Sequence, residues 1–176
     1  IEFDVQMTAD YIPVIFHDDD LHRITGKYSA VADLNISELR ELDFGKWFSE
    51  NFRGQQLMTL ESLLKRYSGK GILMIELKSG GGRRNAADYR HRLCRETARL
   101  IDLHITRGLQ DEVFVLSFEP EMIKDSLEFS PHLKHILNLK KPLSPHGKNP
   151  PVIEKVWGCC VPRRNLRPDY AGFCHD

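Results

Sequence analysis

Ile1-Glu2-Phe3-Asp4-Val5-Gln6-Met7, then Thr8-Ala9-Asp10-Tyr11-Ile12, then Pro13-Val14-Ile15-Phe16-His17-Asp18, is the stretch that organises the chain. Side chains of a strand alternate between faces, so Glu2 and Asp4 project to one side while Ile1, Phe3 and Val5 project to the other. Carboxylates brought that close repel unless one keeps its proton or a cation lies between them, and oxygen-only ligands suit Mg²⁺ or Ca²⁺. The apolar run from Pro13 to Phe16 ends on His17, an imidazole able to move protons near neutral pH. Two metal-ligating acids followed by a proton-transfer group read as hydrolytic chemistry.

Working outward, bulk properties bound the partner. The 176 residues, 41% of them hydrophobic, suffice for one core, and residues 1–176 read as a single domain. Lys plus Arg number 25 and so do Asp plus Glu, so no net field draws in nucleic acid or an anionic bilayer. Any anion must be gripped locally, and a small-molecule partner is expected. No apolar run approaches the roughly 20 residues of a membrane helix, and no leader pattern opens the sequence. The visible chain therefore reads as soluble, with the cytoplasm favoured. Ile1 nevertheless sits inside a strand pattern with no initiator Met, so the chain reads as truncated and an upstream leader or anchor is compatible with it. Cys94, Cys159, Cys160 and Cys174 lack metal spacing and are expected as buried free thiols. Oligomeric state is not legible.

Beyond His17, Asp18-Asp19-Asp20 opens a polar loop in which Asp18 is placed to orient His17 and the other two to meet solvent. Asn35 with Glu38 caps a short helix bearing Leu39 and Leu42. Phe44, Trp47, Phe48 and Phe52 lie in a segment without clean period, where packing is expected over ligand contact. Thr59 caps a helix with Leu60, Leu63, Leu64 and Tyr67 on one face. Gly69-Lys70-Gly71 closes it, and Ile72 to Lys78 follows as a nearly continuous apolar strand buried on both faces. Glu76 and Lys78 at its end each need an opposite charge or a ligand. The two pair with one another, or Glu76 joins Glu2 and Asp4 around a metal while Lys78 meets an anion.

Ser79 to Arg84 reads as a solvated linker. A helix over Ala86–His104 carries Tyr89, Leu93, Ala98 and Ile101 inward and ends at Arg107-Gly108. Val113 to Phe118 is the next strand, and Pro120 opens a helix to Phe129 with Ile123 and Leu127 inward. His135 to Leu139 is a further strand, residues 140–151 a connection, 156–161 a last strand, and 171–176 the start of another. Strands alternating with helices imply parallel βα units, with catalytic groups gathered at the carboxyl ends of the strands.

The ordered series Glu2-x-Asp4-Val5, Thr8-x-Asp10, Pro13-Val14 and His17-Asp18 resembles the signature of the glycerophosphodiester phosphodiesterase family. Arg23-x-Thr25-Gly26, Leu39-x-x-Leu42-Asp43, Thr59-Leu60-Glu61-x-x-Leu64, Ile75-Glu76-Leu77-Lys78 and Leu116-Ser117-Phe118-x-Pro120 continue it, strongly to about Ile123 and thinly after. The resemblance implies an α/β fold, a TIM-type (β/α)₈ barrel incomplete in this chain, with an insertion at about residues 18–56 that overhangs the site. It implies metal-dependent hydrolysis of glycerophosphodiesters to glycerol 3-phosphate and an alcohol. Glu2, Asp4 and Glu76 would hold one Mg²⁺ or Ca²⁺, His17 would be catalytic with Asp18 in support, and Lys78 would bind the substrate phosphate. The family's first strand, with its His-Arg-Gly motif, lies outside the chain, so the chain alone is expected to be inactive. Two alternatives stay open: a phospholipase C or sphingomyelinase D type of phosphodiesterase, and a non-catalytic remnant binding a phosphorylated ligand. Tyr11 stands where the family carries Gly, so a different turn at Asp10 is expected.

Overall fold

The computed structural model of the chain describes residues 1–79, 86–106 and 108–138. The expected loop from Gly80 to Arg84, the connection over 140–151, the strands at 156–161 and 171–176, and Cys159, Cys160 and Cys174 lie outside the described residues.

One sheet runs through the described part, in the order β2-β1-β3-β4-β5. Its strands are β1 (Glu2–Met7), β2 (Pro13–Ile15), β3 (Leu73–Leu77), β4 (Val113–Ser117) and β5 (Lys134–Leu137). Strands β1, β3, β4 and β5 are mutually parallel. The helices α3 (Leu60–Tyr67), α4 (Ala86–His104) and α5 (Pro120–Phe129) intervene, while α1 (His22–Thr25) and α2 (Ile36–Leu39) are single turns in the long segment between β2 and β3. Uniformly parallel pairing does not hold: β2 folds back antiparallel on β1, with Val5 opposite Ile15. Five residues join β1 to β2, too few for a crossover, so the chain turns as a hairpin.

The core follows from the alternation in β1. Phe3, Val5 and Met7 enter one cluster with Leu60, Leu64, Ile75, Leu77, Leu93, Ile101 and Val115. Thr59 caps α3 by accepting the Ser62 N–H at 3.2 Å, which leaves Leu60, Leu63 and Leu64 buried against the sheet. In α4, Tyr89, Leu93, Ala98 and Ile101 face inward as their spacing requires, and the Tyr89 hydroxyl accepts the Met7 N–H at 2.9 Å, fastening the end of β1 to the helix. In α5, Ile123 is buried and Leu127 only partly so. Strand β3 starts at Leu73, one residue later than expected, and Ile72 before it is 52% exposed.

A second cluster, built from Val14, Phe16, Leu21, Val31, Leu34 and Leu39, anchors the segment after β2. The aromatic stretch departs from expectation. Phe44 packs edge-on against Phe16 at 6.1 Å, but Trp47, Phe48 and Phe52 are 48%, 70% and 47% exposed. Asp43 is the cause. Its carboxylate accepts N–H groups from Gly45, Lys46 and Gly54 at 2.8–3.0 Å, closing residues 43–54 upon themselves and turning the rings outward. Those backbone donors also hold the Asp43 carboxyl below its usual range. Gly45 is obligatory, since a Cβ there would sit 1.8 Å from the Phe52 carbonyl oxygen.

Candidate functional site

Parallel register brings the acids together. Asp4 of β1 lies directly opposite Glu76 of β3, and Glu2 sits two residues earlier on the same face of β1 as Asp4. One carboxylate oxygen from each of Glu2, Asp4 and Glu76 lies within 4.8 Å of the others. Two oxygens on one Ca²⁺ at about 2.3–2.6 Å are at most about 5 Å apart, so these donors fit a hard divalent cation. Burial, then the charges of Asp4 and Glu76, raise the Glu2 carboxyl, against the opposing pull of Lys78 and His17. That is the electrostatic strain a cation relieves.

Lys78, just past β3, pairs with Glu76, the first of the two arrangements expected for it, and with Asp4 as well. Its ammonium lies 2.9 Å from Asp4 Oδ1 and 2.7 Å from Glu76 Oε1. Burial pulls its pKa down, but the Glu76 and Asp4 carboxylates outweigh this and hold it above the ordinary lysine value. Glu76 is 6% exposed. Among the described residues its Oε1 meets only this ammonium, so it keeps acceptor capacity for a cation. Its other oxygen accepts from Asn138 Nδ2 at 3.2 Å.

His17 reaches the neighbourhood through the hairpin. Antiparallel return along β1 carries the chain past Ile15, where the Phe16 N–H donates to the Asp4 carbonyl at 3.0 Å. The imidazole is 70% exposed, with Nδ1 2.9 Å from Asp18 Oδ1. Among the described residues its ion pair is with Asp18 and not with the three acids, but it lies close enough to act on Glu2 electrostatically. Arg23 Nε and Nη2 donate to Asp18 at 2.6 and 3.1 Å. These bonds, ahead of the one from His17, depress the Asp18 carboxyl and keep it an anion able to accept His17 Nδ1–H. Asp19 and Asp20 are exposed. The Arg23 guanidinium in turn lies 4.7 Å over the Trp47 ring, linking the outward aromatic loop to the Asp18–His17 pair.

Three residues that the sequence reading did not place at the site belong to it. Arg23 appeared there only as part of a motif. Asn138 follows an apolar strand, and a polar residue in that position was the available signal. Gln6 is third in the row Glu2, Asp4, Gln6, and strand alternation alone puts it on the acidic face.

The chain matches the glycerophosphoryl diester phosphodiesterase family over residues 1–152, well past the point where the resemblance of motifs thins. A Bacillus subtilis protein, provisionally named a glycerophosphodiester phosphodiesterase, is 46% identical over 78 residues, covering 44% of this chain and 32% of its own length. A glycerophosphodiester phosphodiesterase of Caldanaerobacter subterraneus is 30% identical over 135 residues, 76% of this chain and 52% of that protein. The crystal structure of an Oleispira antarctica phosphodiesterase in complex with the product sn-glycerol-3-phosphate superposes with a TM-score of 0.70 at 25% identity, covering 81% of this chain and 56% of that one. The chain thus spans about a third to a half of the curated relatives it matches. Its fold is the TIM-type barrel of these structures, present here in part.

Proposed function

Because the chain belongs to the glycerophosphoryl diester phosphodiesterase family, we propose that the intact protein hydrolyses glycerophosphodiesters to glycerol 3-phosphate and an alcohol with the help of one Mg²⁺ or Ca²⁺. The observation that carries this reading is the convergence of Glu2, Asp4 and Glu76 oxygens within 4.8 Å beside a lysine ammonium. A divalent ion held there supplies a Lewis acid for phosphate oxygens and lowers the pKa of a bound hydroxyl or water. Lys78 adds positive charge where the phosphoryl oxygens gain negative charge. In the reaction a new O–P bond forms from the attacking hydroxyl or water, the O–P bond to the alcohol breaks, one proton leaves the nucleophile and one reaches the departing alkoxide. His17 fills one of these two proton roles, with Nδ1–H fixed on Asp18 and Nε2 free to accept or give a proton.

The test is turnover of glycerophosphocholine by the intact protein, with and without EDTA, and with His17→Ala. Loss of activity in both arms is expected, by about 10²–10⁴-fold for the histidine variant; undiminished turnover of that variant rejects the role. Isothermal titration with Mg²⁺ and Ca²⁺ should reveal a site that vanishes in Glu2→Ala. Release of glycerol 3-phosphate rather than a cyclic phosphate separates this reaction from that of a phospholipase C or sphingomyelinase D type of enzyme.

A further inference from the structure

Gln6 is uncharged, polar and 2% exposed. On β1 it lies two residues beyond Asp4 on the acidic face, while Phe3, Val5 and Met7 take the core. An amide buried without partners costs several kcal/mol on the order of its lost hydration, so its contacts matter. Gln6 Nε2 donates to Asp18 O at 2.7 Å and to Phe16 O at 3.2 Å, with His17 O at 3.4 Å between them. These are consecutive peptide oxygens where the chain leaves β2, on the stretch that presents His17. Among the described residues, no backbone–backbone hydrogen bond holds residues 17–20. The last such bond before them is Phe16 N–H to Asp4 O, and the next begins at Leu21. One side-chain amide thus supplies the hydrogen bonding that a sheet or helix would give the backbone of His17.

We infer that Gln6 is a positioning residue: it fixes the backbone of His17, an assignment that rests on the hydrolase reading above. That backbone is held on the side of the cluster where the imidazole acts on Glu2. Strand β1 then sets both halves of the chemistry, carrying two acids directly and placing the imidazole through Gln6. Because the amide touches neither the acids nor the imidazole, its loss should disturb the alignment of His17 and leave the cation site intact.

Gln6→Met keeps length and volume and removes the N–H donors. In the intact protein acting on glycerophosphocholine, kcat should fall about 10–100-fold. KM and the calorimetric affinity for Mg²⁺ should stay within about twofold, since neither depends on this amide. In a His17→Ala background, Gln6→Met should add no further loss, because the residue it aligns is gone. Unchanged kcat, a joint fall in kcat and metal affinity, or additive losses would each overturn the inference. Gln6→Asn, which keeps the amide but withdraws it by one methylene, replaces Gln6→Met should that variant not fold, with the same loss confined to kcat. Backbone ¹⁵N order parameters of residues 17–20 provide a readout without turnover: lower values in Gln6→Met support the inference and unchanged values overturn it. Wild-type inactivity, or full turnover by His17→Ala, sinks the hydrolase reading instead and leaves the order parameters to decide the placement of the loop.

Discussion

Tyr11 is, among the described residues, the one non-glycine with positive φ, at 64°. A tyrosine thus holds the left-handed backbone that suits glycine. The turn is over-determined: Tyr11 N–H donates to Thr8 O, Thr8 N–H to Ile12 O, Thr8 Oγ1 to Asp10 Oδ1, and Ile36 N–H to the same carboxylate oxygen. A side chain in this region costs about 1–2 kcal/mol. The Arg92 guanidinium, 4.6 Å from the Tyr11 ring, returns part of it. Tyr11→Ala keeps the strain and loses the ring contact, so Tyr11→Gly should be the more stable of the two variants by about 1 kcal/mol in urea unfolding. Asn138 permits a separate test. Its N–H donor orients Glu76 from one side, so Asn138→Leu should weaken Mg²⁺ or Ca²⁺ binding about 10-fold or more in calorimetry while the protein stays folded.

Between β5 and α5 lies a buried histidine that takes no part in the proposed chemistry. His135 is 1% exposed; Nδ1 donates to the Leu133 carbonyl at 3.1 Å and Nε2 lies 3.0 Å from the Ser126 hydroxyl. Burial pushes its pKa down to about 4. The folded protein thus resists a proton that the unfolded chain accepts near pH 6.5. Stability tied to His135 is fully present above about pH 6.5 and is lost as pH falls towards 4, by roughly 3 kcal/mol in all. Chemical unfolding across that range should show the slope, and His135→Gln should flatten it. Helix α3 was legible because Thr59 and its leucines act within a few residues of one another, and α4 because its inward residues keep one period over many turns. The outward aromatic loop was not legible, since it depends on one Asp43 carboxylate gathering N–H groups from as far as Gly54. Nor was the task of Gln6, whose carbonyl partners lie across a hairpin.

For the molecule as a whole, the acids are a liability that the proposed cation would convert into a clasp. At a free divalent concentration of about 100 times Kd, binding to the folded state alone adds about 2.7 kcal/mol. Mg²⁺ or Ca²⁺ should therefore raise the melting temperature of the intact protein and EDTA should reverse it, whereas Glu76→Gln should show little response. No helix among the described residues is long and apolar enough to cross a membrane.

Asp4 and Glu76 face each other across β1 and β3 although the hairpin, the aromatic loop and α3 separate them along the chain. The β1–β2 hairpin can close within microseconds, but the acids meet only after a loop of some seventy residues has been drawn shut. Each doubling of that loop adds only about 0.6 kcal/mol of closure entropy. Residues spliced into its surface turns should thus delay the docking of β3 and leave the finished cluster unaltered, which makes this segment a place where the protein can acquire new sequence cheaply.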